Sequence, residues 1–105
     1  MTKAEQIRVR IVKRLRWVSS EPNSEALWVR IRADVEKYLW ALWRAKKLYG
    51  ASPDEAYFVK YDRDTMTRSD INEGRIIIEC GVATERPAEF VRFKVAIWAG
   101  PPPRK

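Results

Sequence analysis

Residues 72–98 read NEGRIIIECGVATERPAEFVRFKVAIW, and the fold turns on how this stretch is divided. Asn72-Glu73-Gly74 is a turn signal. The β-branched run Ile76-Ile77-Ile78 behind it places the strongest strand at Arg75–Ala83. Pro87 removes a ladder donor and interrupts the pairing. From Glu89 to Trp98 two interleaved sets, Phe90/Arg92/Lys94 and Val91/Phe93/Val95, alternate with the period of a strand.

Working outward toward the N-terminus, Asp62–Gly74 is polar and turn-rich, and Tyr57–Asp62 reads as a further strand. Ser52-Pro53-Asp54-Glu55 has the form of a capping box with Pro53 at the first helical position, which predicts one short turn. Ser24–Leu48 reads as a long helix, because Leu27, Ile31, Val35, Tyr38, Leu42 and Ala45 recur every three or four residues. Asn23 or Ser24 caps it, Lys46 and Lys47 sit where the helix dipole favours cations, and Gly50 is the stop. Val29, Ala33, Trp40 and Trp43 form a second apolar strip on this helix. That strip predicts either burial on two sides or, for Trp40 and Trp43, contact with a neighbouring subunit.

Glu21-Pro22-Asn23-Ser24 separates this helix from Thr2–Val18, which carries two patterns at once. Ala4, Ile7, Ile11, Leu15 and Val18 fall within about 80° on a helical wheel, whereas Ile7, Val9 and Ile11 alternate with Arg8 and Arg10. The helical spacing continues longer, so a helix is favoured, with an extended extreme N-terminus left open.

The predicted fold class is therefore α+β: two N-terminal helices on a small, three-stranded, mostly antiparallel sheet completed by strands from neighbouring subunits. A sheet this small has two open edges, and a strand from another chain satisfies their unpaired backbone groups. Residues 1–105 are expected to form one domain, with 1–6 and 98–105 as arms or tails and the Pro-rich Gly100–Lys105 unpaired.

Composition narrows the function. The chain carries a net charge of +7, and all of the excess lies in residues 1–48, with twelve Lys/Arg against five Asp/Glu. Such a one-sided field implies an acidic partner. No apolar run approaches the roughly 18–20 residues of a membrane span, and no signal-peptide core stands at the N-terminus. With no histidine and a single cysteine, the usual nucleophile–base pairs are absent, so no enzyme and no cofactor site is read. Cys80, on an Ile-rich strand, reads as a small core residue and suits a reducing compartment. Asp62, Asp64 and Asp70 lack the spacing of a calcium loop, so no metal site is read either. Two function classes survive. One is a protein-assembly module. The other is a small basic nucleic-acid-binding module in which Arg8, Arg10, Lys13, Arg14 and Arg16 hold phosphates and Trp17, Trp40 or Trp43 stacks on bases.

Four segments, in order, resemble contractile tail sheath proteins. They are Glu21-Pro22-Asn23 with Leu27-Trp28; Leu42-Trp43-Arg44-Ala45 with Leu48-Tyr49-Gly50-Ala51; Ala56–Asp62 with Asn72-Glu73-Gly74-Arg75; and Gly81-Val82-Ala83-Thr84-Glu85-Arg86-Pro87-Ala88-Glu89-Phe90-Val91. Thr84 stands where that family usually has proline. The resemblance runs from about Ile7 to Ile97 and concerns the family's C-terminal domain. Family members normally carry a large preceding region, so the chain reads as a minimal sheath, an accessory subunit or a cut-down form.

The resemblance implies a structural subunit that polymerises around an inner tail tube by inter-subunit strand exchange and drives contraction. Its partners would be copies of itself or other sheath subunits, the tube protein, and baseplate or cap proteins. No small-molecule substrate or membrane is implied. Assembly would take place in the cytoplasm, into a virion tail or phage-tail-like particle. On this reading Val91, Phe93, Val95 and Ile97 form the exchanged strand, and Pro87, Ala88, Glu89 and Phe90 form the turn that sets where it leaves. Arg8, Arg10, Lys13, Arg14, Trp40 and Trp43 are candidates for lateral or tube contacts.

Overall fold

In the computed structural model, residues 2–61, 69 and 73–100 are described. Helix α1 spans Lys3–Arg14 and a 3-10 turn spans Arg16–Ser20. They are followed by α2 (Glu25–Arg44), the short α3 (Pro53–Ala56), β1 (Tyr57–Lys60), β2 (Arg75–Val82) and β3 (Val91–Trp98). The α+β expectation holds. The strands form one antiparallel sheet in the order β1-β2-β3, with Val59 opposite Cys80, Ile78 opposite Val95 and Ile76 opposite Ile97.

Both long helices lie on one face of this sheet, α1 against β3 and α2 against β1. Ile7, Ile11, Leu15, Ile31, Val35 and Leu39 meet Val59, Ile76, Ile78, Val82, Val95 and Ile97 in a single core. Each such side chain contributes about 1.5–3 kcal/mol by leaving water. The helical stripe of the first segment thus prevails over its strand alternation. Its register slips after Arg14, and Val18 reaches the core from the 3-10 turn instead.

The carboxylate of Asp34 holds the two helices together. It accepts from Arg14 Nε at 2.8 Å and from Trp17 Nε1 at 3.1 Å. The alternative caps are settled as well: Ser24 Oγ accepts from the Leu27 N–H, while Asn23 Oδ1 takes the buried Trp28 Nε1–H at 2.6 Å.

Four expectations need correction. First, α2 ends at Arg44, not near Leu48 with Gly50 as its stop. Lys46 adopts a left-handed φ of 62°, and Lys46 N donates to Trp43 O and Lys47 N to Leu42 O. This is the reverse-turn ending usually built on glycine, made here with lysine. Lys46 and Lys47 therefore lie beyond the helix they were expected to occupy. Second, Glu55 Oε1 accepts from Ala51 N rather than closing a box on Ser52, whose side chain makes no cap bond. Third, β1 stops at Lys60; Tyr61 instead packs edge-on against Trp28, 6.1 Å between centroids. Fourth, Gly100 is paired: its N–H donates to Glu21 O and it forms an isolated bridge with Pro22 beyond the end of β3. The carboxylates Asp62, Asp64 and Asp70 and residues 101–105 lie outside the described residues.

A non-glycine residue in the left-handed region is strained by about 1 kcal/mol. Lys46→Gly is therefore expected to stabilise the chain by about 0.5–1 kcal/mol, after the extra unfolded-state entropy of glycine. A thermal melt showing an unchanged or lowered midpoint would contradict this account of the helix end.

Candidate assembly surfaces

Strand β3 pairs with β2 over its full length within the same chain. Val95 and Ile97 are buried in the chain's own core, Phe93 is half-buried, and Val91 is 46% exposed. The other face of β3 carries the exposed Arg92, Lys94, Ala96 and Trp98. Ala99 N–H donates to Gly74 O on the β2 side, and Gly100 N–H donates to Glu21 O on the opposite side. By the alternation of an antiparallel ladder, Val91, Phe93, Val95 and Ile97 direct their backbone groups to β2, and Arg92, Lys94, Ala96 and Trp98 direct theirs outward. Among the described residues no strand occupies that outer edge.

The turn before β3 is firmly seated. Ala88 has a φ of 61°, and its N–H donates to Glu55 O at 2.8 Å. Ahead of it, Ala83 N donates to Ala56 O and Tyr49 N donates to Ala83 O. Behind it, Phe90 meets the Phe58 ring edge-on at 5.2 Å, and Arg92 lies over Phe58 at 5.5 Å. Gly81 makes this stack possible, because a Cβ there would run into the Phe58 ring. The Arg86–Glu89 pair at 3.9 Å is exposed and adds little. Ala88 and Phe90 are thus tied to α3 and β1, whereas Pro87 and Glu89 are exposed.

The basic residues separate into two groups. Arg14 is committed internally, bonded to Asp34 and lying 5.7 Å over the Tyr38 ring. Arg8, Arg10, Lys13 and Arg16 are exposed, and none has an ion-pair partner among the described residues.

The apolar strip of α2 also divides. Val29 is 57% and Trp40 46% exposed, whereas Trp43 is half-buried with Nε1 donating to Gly50 O at 2.9 Å. Trp17 is used internally too, its Nε1 on Asp34 and its ring 4.8 Å beneath Arg30. Of the three tryptophans proposed as stacking platforms, only Trp40 presents an open surface, shared with Arg44 at 5.4 Å. Sequence reasoning missed the outward edge of β3 as a defined set of amides, because strand order is a property of the fold rather than of any segment.

Cys80 is buried in the sheet, and its thiol is pushed up to about 12, first by burial and then by the charge of Glu79. It is therefore a protonated packing group at neutral pH, not a nucleophile. No group of acidic, cysteine and histidine residues suited to a metal is present among the described residues. Among them, no helix is long and apolar enough to cross a membrane.

No protein-family model and no curated protein matches the chain. Solved structures do. One is a chain of the anti-feeding prophage (AFP) baseplate, 6-fold symmetrised, at 39% identity and a TM-score of 0.73, covering 88% of this chain and 26% of that one. Another is a chain of the PVC sheath complex, in the contracted state, of an extracellular contractile injection system. It has 42% identity and a TM-score of 0.57, covering 68% of this chain and 20% of that one. The chain thus spans about a quarter or less of the length of these relatives. These likenesses agree with the sheath resemblance carried by the sequence motifs.

Two outcomes test the surface assignments. Trp40→Ala should cost under about 0.5 kcal/mol in the isolated chain, whereas Trp28→Ala should cost about 3–5 kcal/mol, by urea unfolding. The folded thiol of Cys80, at about 12, lies above its ordinary value of 9.0. Its contribution is then complete below pH 9 and is lost as pH rises through the folded value, because the unfolded chain releases the proton first. Stability should fall more steeply across that window in the wild type than in Cys80→Ala.

Proposed function

We propose, from this kinship with components of contractile injection systems, that the chain is a structural subunit of the sheath, the layer that surrounds the inner tube and shortens. The observation that carries the reading is the 42% identity to a chain of a contracted sheath complex. The open outer edge of β3 supports it physically. Four outward-directed residues, Arg92, Lys94, Ala96 and Trp98, offer backbone donors and acceptors that an additional strand would satisfy.

In this reading subunits are linked through β3. The strand either leaves its own β2 for that of a neighbour, keeping the same register, or stays in place and accepts a neighbour's strand on its outer edge. The seated turn at Pro87–Phe90 serves both routes as a fixed pivot. Strand pairing keeps copies connected while the lattice shortens, and the exposed cations of α1 face acidic neighbours such as the tube. Partners are copies of the chain, other sheath subunits, the tube, and baseplate or cap proteins, within a phage-tail-like particle assembled in the cytoplasm. The reaction is mechanical and not enzymatic.

A second reading is favoured by the likeness to a baseplate chain: a sheath-type subunit seated at the baseplate end. The nucleic-acid alternative loses ground, because a face of Trp17 is covered by Arg30 and both Trp17 and Trp43 are half-buried against the core.

Glu79 and Lys94 stand opposite each other on β2 and β3, which provides a test of exchange. In a Cys80→Ala background, chains carrying only Glu79→Cys are mixed with chains carrying only Lys94→Cys. They are then assembled with the tube and baseplate components and oxidised. Facing antiparallel positions lie within disulfide reach, about 4.5–5.5 Å between Cα atoms. A disulfide between the two chain types, seen on a non-reducing gel, is the expected result if β3 is swapped. Tubes in electron micrographs without that cross-link would leave edge addition. Absence of tubes or rings, with the chain remaining monomeric, would overturn the sheath reading.

A further inference from the structure

Because α1 lies over β3 and α2 over β1, the helices leave a cleft between them of about 340 Å³. Its apolar lining is Ile7 from α1 and Leu42 and Tyr38 from α2. Lys3 and Arg10, on one side, and Lys47, on the other, supply three cations. None of the three has an ion-pair partner among the described residues.

The Tyr38 hydroxyl adds an independent observation. It is buried and has no hydrogen-bond partner among the described residues. A buried hydroxyl left unsatisfied is costly and rare, so the isolated chain carries a donor that lacks its acceptor. The uncompensated cations and the orphaned donor call for the same chemistry, an anionic oxygen. The apolar lining calls for a hydrocarbon beside it.

We propose that this cleft receives a carboxylate side chain from an acidic segment of a partner protein, with an adjacent aliphatic side chain resting on Ile7 and Leu42. The carboxylate would draw on Lys3, Arg10 and Lys47, and the Tyr38 hydroxyl would gain its acceptor when the cleft fills. A nucleic acid fits less well. The face of the Tyr38 ring is taken by Arg14, which Asp34 holds at 2.8 Å, so no base can stack there. A sugar–phosphate backbone also brings nothing apolar to Ile7 and Leu42. The cleft is present in the single chain and does not depend on polymer formation, so it stands or falls apart from the sheath reading.

The test uses the full chain in its unassembled form and two probes, acetyl-Leu-Glu-Leu-amide and its glutamine counterpart. NMR follows the Ile7 and Leu42 methyl groups during titration. The glutamate peptide is expected to shift both methyls and to bind about five- to tenfold more tightly than the glutamine peptide, a difference that shrinks with added salt. Arg10→Gln and Lys47→Gln should each weaken glutamate-peptide binding about three- to tenfold. Tyr38→Phe should weaken it as well while raising the melting temperature of the free chain, since it removes an unsatisfied buried group. A tyrosine with only a packing role would not move the binding constant. Equal binding of the two peptides, or unchanged binding in the charge variants, would overturn the proposal. So would a single-stranded oligonucleotide that shifts the same methyls at lower concentration than the peptide.

Discussion

Strand β2 is bonded on both sides, and it is the only strand of the described sheet in that position. The rest of the molecule depends on this. One flank of β2 holds four residues of β1 and the other holds eight of β3. Its inward side chains Ile76, Ile78, Cys80 and Val82 are buried. Helices α1 and α2 can be placed only where these side chains need cover, one over each flanking strand. A single central strand also means that two-thirds of the strands are edges. That geometry follows from the size of the sheet, since a third strand cannot shield the two outer rows of amides.

The helices are positioned by polar contacts as much as by the core. Asp34 receives Arg14 and Trp17 from two different segments. A carboxylate bonded to a guanidinium and an indole restricts both angle and register, which apolar packing alone does not. The same residue explains why the basic first segment is not uniformly available for outside contacts. Arg14 is held within the fold, and Arg8, Arg10, Lys13 and Arg16 are left facing out. Charge counted along a sequence therefore overstates the charge offered to a partner.

Periodicity revealed the elements and the fold class. The spacing of Ile7, Ile11, Ile31 and Val35 and the alternation of Phe93, Val95 and Ile97 are dictated by which face is buried, so they appear directly as patterns. Ends were less legible. Lys46 takes a conformation that normally announces itself with glycine, and Gly50, the visible signal, lies several residues later in a different turn. Glu55 finds Ala51 instead of Ser52 because several amides compete for one carboxylate across a short loop. Trp40 and Trp43 share a strip on paper, but Trp43 has a carbonyl within reach of its indole at Gly50 and Trp40 has none among the described residues. The candidate surface was legible as residue types and not as geometry. Val91–Ile97 was identifiable as a strand, whereas the outward set Arg92, Lys94, Ala96 and Trp98 follows only from strand order and ladder phase.

An open edge is a hazard unless pairing is restricted, and this edge carries its own restriction. Arg92 and Lys94 put positive charge on β3, which disfavours stacking of like edges from two copies. The far end of β3 is closed by Glu21 and Pro22 through Gly100, so the open row of amides has a limit. At the opposite side of the sheet, the Tyr57 hydroxyl of β1 is pushed up, first by burial and then by the charges of Glu36 and Asp54, and Glu36 is itself paired with Arg32 at 3.3 Å. The two edges therefore differ in length, four paired residues on β1 against eight on β3. Identical edges favour closed pairs, whereas unlike surfaces joined head to tail generate rings or helical arrays. On the proposed reading, joining the β3 edge of one copy to a different surface of the next would be of the second kind.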